Sequence, residues 1–502
     1  MPAPECNLLH EWLRRTAAAR PHATAIEEDG RATSFESLFG RAAALARSFL
    51  AHGLRPGDRV ALVLPKTTEA VVAVFASLLA GAAYVPIHPR WPQARRQAVL
   101  DDCAARLLID EENGRLRVVD RATGDSTLLA EFGADGGDAE QWPRVDPAAT
   151  AVLLFTSGST GLPKGVVLSH RAVAAFVGWT ATEFRMTAQD RIATPAPLGF
   201  DLSTFDLFNM ALTGATAVLV PENIAWMPRF LARFVREARI HCWYSVPSIL
   251  ASLLDEECFA HSDLRLILFA GESLAPAALA RLRAAAPGAR CVNLYGPTET
   301  NVVTWYDVPR NFQPSDPLPI GRPCPYAEIA VDPVSGELLA GGASQMDGYW
   351  NRPEETARAF ATIEGRRFYR TGDRVSLAAD GNYLFHGRLD RQIKRRGFRI
   401  ELDEIEAALL RHSQLAEAAV VAVRDAADAT LIVAFVCPRR AKPPSLAALR
   451  AHCALQLPPY MLPDRIVFVD ILKKGNRGKI DYSALAQAAA LTQAAEGHVR
   501  GD

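Results

Sequence analysis

The sequence predicts an α/β protein with mostly parallel sheets, flanking helices and a smaller β-rich part. Strand-length apolar runs alternate with helix-length segments over most of the chain, which is typical of parallel strands joined by helices. A chain of 502 residues with 49% apolar residues also exceeds the usual size of one hydrophobic core. We therefore predict a large N-terminal region at residues 1–389 and a small C-terminal α/β domain at residues 390–502.

The elements follow in order along the chain. Residues 8–19 form an amphipathic helix, and residues 33–38 open a second helix that continues to about residue 50. Further strands are expected in segments 60–65, 151–155, 218–220, 242–247, 266–274 and 293–300, with helices at 170–184 and from 402 and in the tail after 482. Loops are expected at 133–147 and in the proline-rich connector 309–325, and a smaller β-rich piece at 336–406.

One apolar stretch, residues 70–87, is nearly long enough to span a membrane. Gly81 and Pro86 interrupt it, so we predict a buried helix, a turn and a strand instead. The N-terminus shows no signal-peptide pattern, and a cytoplasmic location is the expectation.

Composition excludes several function classes. A net charge of −1 argues against nucleic acid and anionic membranes as partners, because both require a surplus of positive charge. The eight cysteines are scattered without C-x-x-C pairs, which predicts neither a disulfide framework nor a zinc site. Partners are expected to be small molecules or a specific protein surface.

The segment TSGSTGLPKG, residues 156–165, has the composition of a polyphosphate loop. It follows the apolar strand at 151–155 and holds three glycines, four hydroxyl residues and one lysine. Glycines let backbone N–H groups approach an anion, while hydroxyls and a lysine add donors and charge. The loop does not match the Walker A pattern, because Pro163, Lys164 and Gly165 occupy the places of its glycine, lysine and hydroxyl residue.

Eight motifs follow one another in a recognisable order: TSGSTGLPKG, GFDLSTFD (199–206), NLYGPTET (293–300), GELLAGG (336–342), YRTGD (369–373), GRLDRQIKRRGFRIELDEIE (387–406), LPPYMLP (457–463) and RGKID (477–481). In this order they resemble the acyl-activating superfamily of acyl-CoA ligases, luciferases and nonribosomal peptide synthetase adenylation domains. The resemblance covers nearly the full chain. It implies the adenylate-forming fold, whose small C-terminal domain is mobile. It also implies that a carboxylate and ATP react to an acyl-adenylate and pyrophosphate, and that a thiol then captures the acyl group.

The resemblance also assigns residues to the nucleotide. The phosphate loop would hold the β- and γ-phosphates through Thr156, Ser157, Gly158, Ser159, Thr160, Gly161 and Lys164. Tyr295 would stack on adenine, with Asn293, Gly271, Glu272, Gly296 and Thr298 around it. Asp373 would accept hydrogen bonds from the ribose, supported by Arg388, and Glu299 with Thr156 would bind Mg²⁺.

Lys479 resembles the catalytic lysine of the family, a cation that bridges the substrate carboxylate and the α-phosphate. The sequence departs from the usual Asn-Gly-Lys there, because Arg477 precedes Gly478. Asp390 and Arg391 correspond to the hinge, and the Gly397 loop to the part that enters for thiol capture. The basic run 388–399 has little aromatic interleaving and is about one strand long, so we do not interpret it as a nucleic-acid site.

GFDLSTFD resembles the block that lines an amino-acid pocket, and Asp201 would pair with the substrate ammonium. The remaining positions are Leu202, Phe205, Tyr244, Leu268, Ala270, Leu294, Val302 and Val303, of which only Tyr244 is polar. Apolar walls favour a small apolar amino acid, since an unpaired buried polar group costs roughly 1–3 kcal/mol. The set resembles stand-alone L-proline-activating ligases that feed pyrrole formation. D-Alanine, valine and leucine stay as alternatives.

The thiol is expected from a separate carrier protein bearing phosphopantetheine, because only about twenty residues follow RGKID. The segment AGGASQ (340–345) faintly resembles a carrier attachment site but lies within the GELLAGG block, so we reject it as one. A non-catalytic scaffold that keeps the fold is the alternative from another class. The complete phosphate loop, Glu299, Asp373 and Lys479 argue against it.

Overall fold

The computed structural model describes residues 7–112, 115–128, 142–158, 162–225, 227–259, 262–425, 429–439, 443–475 and 479–499. Helices in the described chain are α1 Leu9–Ala19, α2 Phe35–Ala51, α3 Thr68–Leu79, α4 Gln93–Asp102, α5 His170–Glu183, α6 Leu202–Thr213, α7 Pro228–Glu237, α8 Pro247–Leu254, α9 Pro276–Ala285, α10 Pro353–Ala359, α11 Leu402–Leu410, α12 Leu446–Ala454 and α13 Tyr482–Val499, with a 3₁₀ turn at Pro459–Met461.

Strands of the first half of the chain are β1 Thr24–Glu28, β2 Arg31–Ser34, β3 Arg59–Leu62, β4 Ala83–Pro86, β5 Leu107–Glu112, β6 Arg115–Asp120, β7 Ser126–Leu128, β8 Thr150–Thr156, β9 Lys164–Ser169, β10 Arg191–Thr194, β11 Thr216–Leu219 and β12 Cys242–Ser245. Strands of the second half are β13 Leu266–Phe269, β14 Arg290–Tyr295, β15 Thr304–Asp307, β16 Arg322–Pro323, β17 Ala327–Val331, β18 Glu337–Gly342, β19 Gly348–Tyr349, β20 Phe360–Ile363, β21 Arg366–Leu377, β22 Tyr383–Arg388, β23 Ile393–Arg395, β24 Phe398–Ile400, β25 Leu415–Arg424, β26 Thr430–Pro438 and β27 Arg465–Phe468.

Two large sheets carry most of the chain. One has the order β16-β15-β14-β13-β12-β10-β11-β1-β2, and the other β19-β9-β8-β4-β3-β5-β6-β7. The central strand pairs of both sheets are parallel, and strand pairs near the edges are antiparallel. Helices connect the parallel strands, as βαβ units require. The predicted α/β class with mostly parallel sheets is confirmed.

Three smaller sheets complete the architecture. The antiparallel sheet β17-β18-β21-β20, to which β22 adds through β21, is the predicted β-rich piece. The others are the β23-β24 hairpin and the β25-β26-β27 sheet. The chain falls into two compact units, Met1–Pro89, Leu100–Phe155 and Gly165–Leu389 in the first, and Arg90–Val99, Thr156–Lys164 and Asp390–Asp502 in the second.

The apolar stretch at residues 70–87 folds as predicted. It forms α3, the turn at Gly81 and β4, and nearly every side chain along it is buried. Gly81 has φ +76° and faces Pro56, whose Cβ would lie 3.2 Å from an added methyl group. In the described part of the chain, no helix is long and apolar enough to cross a membrane.

Local capping explains where several helices begin. Ser34, Thr67 and Ser169 precede α2, α3 and α5, and each side chain accepts a hydrogen bond from the backbone N–H three residues later. These hydroxyls satisfy N–H groups that have no partner within the helix. The seven described cysteines are free and buried.

The basic segment 388–399, described from the sequence as about one strand long, is shared by more than one strand. It contains the end of β22 and the β23-β24 hairpin, in which Arg395 pairs with Phe398. Arg396 and Gly397 form the turn, with φ +52° and +79°. Positive φ at both positions is the signature of a tight type I′ turn. Most of the loop expected at 133–147 lies outside the described residues.

Candidate active site

The end of β14 brings the predicted adenine and ribose partners together. The Tyr295 hydroxyl donates to Asp373 Oδ2 at 2.5 Å, and Arg388 Nη1 donates to Asp373 Oδ1 at 2.6 Å. Asp373 and Arg388 face each other across the β21-β22 ladder. Burial, and then the neighbouring Asp373, raises the pKa of Tyr295 well above its ordinary value. The phenol therefore stays protonated and keeps its role as donor.

Asp373 is held on its backbone side as well. Its N–H donates to Thr371 Oγ1 at 3.1 Å, and the Thr371 hydroxyl donates to the Leu338 carbonyl at 2.7 Å. A carboxylate can accept about four hydrogen bonds, so a buried Asp373 with these partners retains acceptor capacity for further hydroxyl donors. Such an oriented carboxylate is suited to a ribose.

Glu299 is fully buried at the end of the NLYGPTET segment. The Tyr349 hydroxyl donates to Glu299 Oε1 at 2.6 Å, and the Tyr349 and Tyr369 hydroxyls lie 3.3 Å apart. The turn before Glu299 is tight, because a Cβ on Gly296 would lie 1.7 Å from the Asn301 carbonyl oxygen. Thr298 lies half-buried within that turn.

Sequence reasoning missed Tyr349, which contacts Glu299, and Tyr369, whose hydroxyl lies beside that of Tyr349. Tyr349 lies in GYW after the GELLAGG block, and Tyr369 begins the YRTGD motif. The only local signal was their position inside or beside motifs. The partner of Tyr349 is 50 residues away in the chain, which periodicity does not reveal.

The predicted adenine-edge residues are held in part by the protein itself. Asn293 Nδ2 donates to the Pro319 carbonyl at 2.8 Å, and Glu272 Oε2 accepts from the Ser248 N–H at 3.1 Å. Gly271 has φ +92°, a conformation that side-chain-bearing residues rarely adopt. A glycine at this position therefore allows the chain to turn directly after β13.

Part of the phosphate loop is described. Thr156 ends β8 and Lys164 begins β9, while Ser159, Thr160 and Gly161 lie outside the described residues. Ser157 donates from Oγ to the Arg399 carbonyl at 2.9 Å, and Gly158 is buried beside it. The Thr156 hydroxyl is buried and has no hydrogen-bond partner in the described chain.

The predicted amino-acid pocket is centred on the start of α6. Asp201 precedes this helix, and its side chain accepts from the Leu202 N–H at 3.1 Å. Phe205 and Tyr244 meet edge to face, with ring centroids 5.4 Å apart. Burial raises the pKa of Tyr244 well above its ordinary value, and the nearby Asp201 and Asp206 carboxylates raise it further. The phenol therefore stays protonated.

Seven of the eight wall residues belong to one buried apolar cluster: Leu202, Phe205, Tyr244, Leu268, Ala270, Leu294 and Val302. Tyr244 and Leu268 are register partners on adjacent parallel strands, which explains their proximity. Val303 instead packs in a second cluster with Tyr295. The structure therefore places Val303 beside the predicted adenine partner.

Tyr326 is a further residue at this cluster that sequence reasoning missed. Its hydroxyl donates to the Val302 carbonyl at 2.6 Å, and its ring meets Trp179 with centroids 5.8 Å apart. Asn301, with φ +53°, supports the same turn by accepting from the Val302 N–H at 2.8 Å. The backbone that carries Val302 and Val303 is thus held on both sides.

The second unit holds the predicted lysine and hinge residues. Lys479 is exposed, and its carbonyl accepts from the Gly475 N–H at 2.8 Å. Arg391 donates to Asp403 at 2.5 Å and to Glu406 at 2.6 Å, and its guanidinium stacks on Tyr482 at 3.4 Å. The Asp390 carboxylate accepts from the Gln392 N–H at 3.1 Å.

Two protein-family models match this chain. Residues 13–350 match the model of the AMP-binding enzyme family, and residues 404–479 match that of the AMP-binding enzyme C-terminal domain. The chain belongs to the AMP-binding enzyme family. The first match alone covers more than half of the 502 residues, and the predicted superfamily membership is confirmed.

Curated members of the family align over nearly the whole chain. An L-proline–[L-prolyl-carrier protein] ligase of Pseudomonas fluorescens is 37% identical, over 96% of this chain and 99% of its own. A protein of the same name from Streptomyces coelicolor is 37% identical, over 90% of this chain and 91% of its own. The chain is thus similar to AMP-binding enzymes named as ligases, in agreement with the prediction that it is an enzyme of this kind.

Solved structures agree on the fold. The crystal structure of IdnL1 has a TM-score of 0.78 at 29% identity and covers 93% of this chain and 99% of its own. The Vibrio cholerae adenylation domain AlmE, solved with glycyl-adenosine-5′-phosphate, has a TM-score of 0.80 at 25% identity and covers 96% of this chain and 97% of its own. The predicted adenylate-forming fold is confirmed.

The donor set fits a magnesium ion carried by a nucleotide. Mg²⁺ prefers hard oxygen ligands and in such sites uses one or two carboxylates together with phosphate oxygens. Glu299 offers a buried, oriented carboxylate of this kind. Among the described residues, no group of three or more His, Cys, Asp and Glu side chains could hold a metal by itself.

Proposed function

We propose that this enzyme activates an amino acid with ATP and transfers it to a carrier protein. The substrate carboxylate attacks the α-phosphorus, which forms an aminoacyl-adenylate and releases pyrophosphate. The phosphopantetheine thiol of a separate carrier protein then attacks the acyl carbonyl carbon, a thioester forms and AMP leaves. The observation that carries this proposal is Asp201, a carboxylate at the start of α6 beside a cluster of apolar side chains.

Negative charge accumulates in the first step, because a carboxylate approaches a polyphosphate. The chain offers Lys164 and the hydroxyls of Thr156 and Ser157 for the β- and γ-phosphates, and Lys479 for the carboxylate and α-phosphate. Oriented cations and donors stabilise charge that develops in the transition state. Asp373 and Tyr295 bind the nucleoside, and Glu299 with Thr156 would hold Mg²⁺, which neutralises phosphate charge when bound.

We propose L-proline as the amino acid. Support comes from the pocket walls, in which every side chain but Tyr244 is apolar, and from the two relatives named as L-proline–[L-prolyl-carrier protein] ligases. A polar side chain buried there without a partner would lose roughly 1–3 kcal/mol of binding free energy. D-Alanine leaves part of a pocket walled by leucine, phenylalanine and tyrosine unfilled, and valine or leucine is the nearer competitor.

We further propose that residues 1–389 form the large core and residues 390–502 the small mobile domain. Rotation at Asp390 and Arg391 would remove Lys479 after adenylation and bring the Gly397 loop in for thiol capture. We expect the reaction to take place in the cytoplasm, and the loaded carrier to supply a pathway of secondary metabolism such as pyrrole formation.

The test is ATP–pyrophosphate exchange across the protein amino acids and D-alanine. We expect the highest rate with L-proline, and loading of a holo carrier protein with radiolabelled L-proline. A maximum at D-alanine, valine or leucine would overturn the assigned substrate but keep the reaction class. Absence of exchange with every amino acid would overturn the reaction itself and favour a scaffold.

A further inference from the structure

A buried lysine, Lys66, contacts the segment that leads to Asp201. Lys66 follows β3 and is only 7% exposed. Its Nζ donates to the carbonyls of Thr194 and of Ala196, the latter at 3.2 Å. Thr194 ends β10, and the residues after it connect β10 to α6. A single ammonium group therefore binds the backbone just upstream of the predicted substrate carboxylate.

The carboxylate of Asp206 lies in the same buried region. Asp206 is on α6, is 1% exposed, and neither of its oxygens has a hydrogen-bond partner in the described part of the chain. Burial raises the pKa of Asp206 well above its ordinary value, while the positive charge of Lys66 lowers it. An isolated buried carboxylate is strongly unfavourable, and the positive charge of Lys66 offsets only part of the cost of burying Asp206.

Among the described residues, two carboxylates oppose the effect of burial on the Lys66 pKa. They are Asp206 on α6 and Glu222 in the segment after β11. Glu222 Oε1 accepts from the Lys66 N–H at 3.3 Å, and its Oε2 lies 3.8 Å from His88 Nε2. Burial lowers the pKa of Lys66 to about 8, and the two carboxylates oppose this shift. Lys66 is thus charged at neutral pH and titrates at moderately alkaline pH.

We propose that Lys66 acts as a positioning residue for the amino-acid site. The charged Lys66 holds the 194–196 carbonyls, this fixes the start of α6, and Asp201 is thereby aligned with the substrate ammonium. The Asp206 carboxylate favours the charged form of Lys66. The proposal rests on the proposed function, because Asp201 has an ammonium to bind only if the substrate is an amino acid.

Two consequences distinguish this role from simple support of the fold. Deprotonation of Lys66 loosens the 194–201 segment, so the KM for the amino acid rises with pH while the KM for ATP does not. Removal of the Asp206 charge destabilises charged Lys66, so the same rise moves to lower pH. Glu222 is the less buried carboxylate and is more screened by water, so its removal has a smaller effect.

The experiment measures ATP–pyrophosphate exchange with the best amino acid from about pH 6.5 to about pH 9.5. We compare the wild type with Lys66→Met, Asp206→Asn and the matched control Glu222→Gln. For Lys66→Met we expect the KM for the amino acid to rise about tenfold and the KM for ATP to change less than about twofold. In this variant the KM for the amino acid should rise at alkaline pH only as far as titration of the substrate itself requires. Asp206→Asn should move the alkaline rise in the KM for the amino acid to lower pH, and this shift should be larger than the shift that Glu222→Gln produces.

Hydrogen–deuterium exchange adds a readout that needs no substrate. Peptides covering residues 194–206 should exchange faster in Lys66→Met than in the wild type, with unchanged exchange in the β25-β26 region as the internal control. Equal increases in both KM values, or unchanged exchange of the 194–206 peptides, would overturn the positioning role. Failure of the wild type with every amino acid would overturn the proposed function and the pairing with a substrate ammonium. The exchange of the 194–206 peptides would still report whether Lys66 holds this segment.

Discussion

At the residue scale, the ring and the hydroxyl of Tyr295 have separate predicted roles. The ring would stack on adenine, and the hydroxyl contacts the predicted ribose partner Asp373. The Tyr295 hydroxyl donates to Asp373, whose other oxygen accepts from Arg388. Tyr295→Phe keeps the ring but removes a hydrogen bond to a buried carboxylate, an interaction worth about 1.5–3 kcal/mol. We expect the KM for ATP to rise about tenfold or more, and the KM for the amino acid to change little, in pyrophosphate exchange.

The control for Tyr295→Phe is Tyr306→Phe. Tyr306 lies on the neighbouring strand β15, is half-buried and makes no hydrogen bond through its hydroxyl in the described chain. Its replacement should leave both KM values near those of the wild type. An unchanged KM for ATP in Tyr295→Phe would show that Asp373 does not depend on this phenol.

Asp201 carries the second prediction at this scale. Asp201→Asn keeps the shape and the ability to accept from the Leu202 N–H, but it removes the charge that would pair with an ammonium. Charge-assisted hydrogen bonds contribute about 1.5–3 kcal/mol. We expect the amino-acid KM to rise by about tenfold to a hundredfold in exchange assays, with the KM for ATP unchanged. The exposed Asp255→Asn serves as control, and equal KM values in both variants would reject Asp201 as the ammonium partner.

At the element scale, two lysines in different settings lie at or beside the bridge between Lys474 and Ile480. Lys474 pairs with Glu417 at 2.6 Å, and Lys479 is exposed. Lys479→Ala should lower the adenylation rate by about a hundredfold or more, because a cation near the reacting groups stabilises about 2.7–4 kcal/mol of developing charge. Thioester formation from preformed aminoacyl-adenylate should largely survive.

Lys474→Ala is the matched control at the same bridge. It loses one surface ion pair, which contributes at most about 1 kcal/mol, and adenylation should persist. Single-turnover measurements of adenylate formation and of carrier loading separate the two steps. Equal loss of both steps in Lys479→Ala would contradict a role confined to adenylation.

At the scale of the whole molecule, two buried histidines couple the N-terminal helix to the core. His10 on α1 and His170 at the start of α5 lie edge to face, with ring centroids 5.5 Å apart, and His170 Nδ1 accepts from the Leu9 N–H. Burial lowers the pKa of His10 from 6.5 to about 4 and that of His170 to about 3. Both rings are therefore neutral in the folded protein.

This arrangement predicts acid sensitivity. The folded pKa values lie below the unfolded ones, so the unfolded chain takes up protons first as the pH falls. The stability that the neutral rings contribute is complete above about pH 6.5 and is lost as the pH falls toward 4. We expect the free energy of unfolding to drop by about 2 kcal/mol per histidine between pH 7 and pH 5.

His10→Phe should flatten this dependence, because the variant lacks one titrating group and the His10 Nδ1 atom has no partner to lose. The control is His22→Gln, since the His22 side chain is 88% exposed. Thermal unfolding followed by circular dichroism at several pH values provides the measurement. A steep acid loss that persists in His10→Phe would assign the effect to other groups.

Prediction from the sequence succeeded where structure depends on neighbours in the chain. The apolar run at 70–87, punctuated by Gly81, folded into a helix, a turn and a strand, and the capping serine at residue 34 opened α2. The 388–399 segment, about one strand in length, is divided by a type I′ turn at Arg396 and Gly397 into the two strands of a hairpin. Periodicity is weak over such short strands, so turn conformation decided the outcome.

The sequence by itself determined the family, the α/β class and the residues that line up with known motifs, because these are carried by local composition and motif order. Only the tertiary structure decided which buried polar groups meet. Tyr349 reaches Glu299, Tyr295 reaches Asp373, and Lys66 reaches the carbonyl of Thr194, across 50, 78 and 128 residues of chain. These pairings depend on strand order and on the exclusion of water, which leaves a buried polar group stable only beside a specific partner.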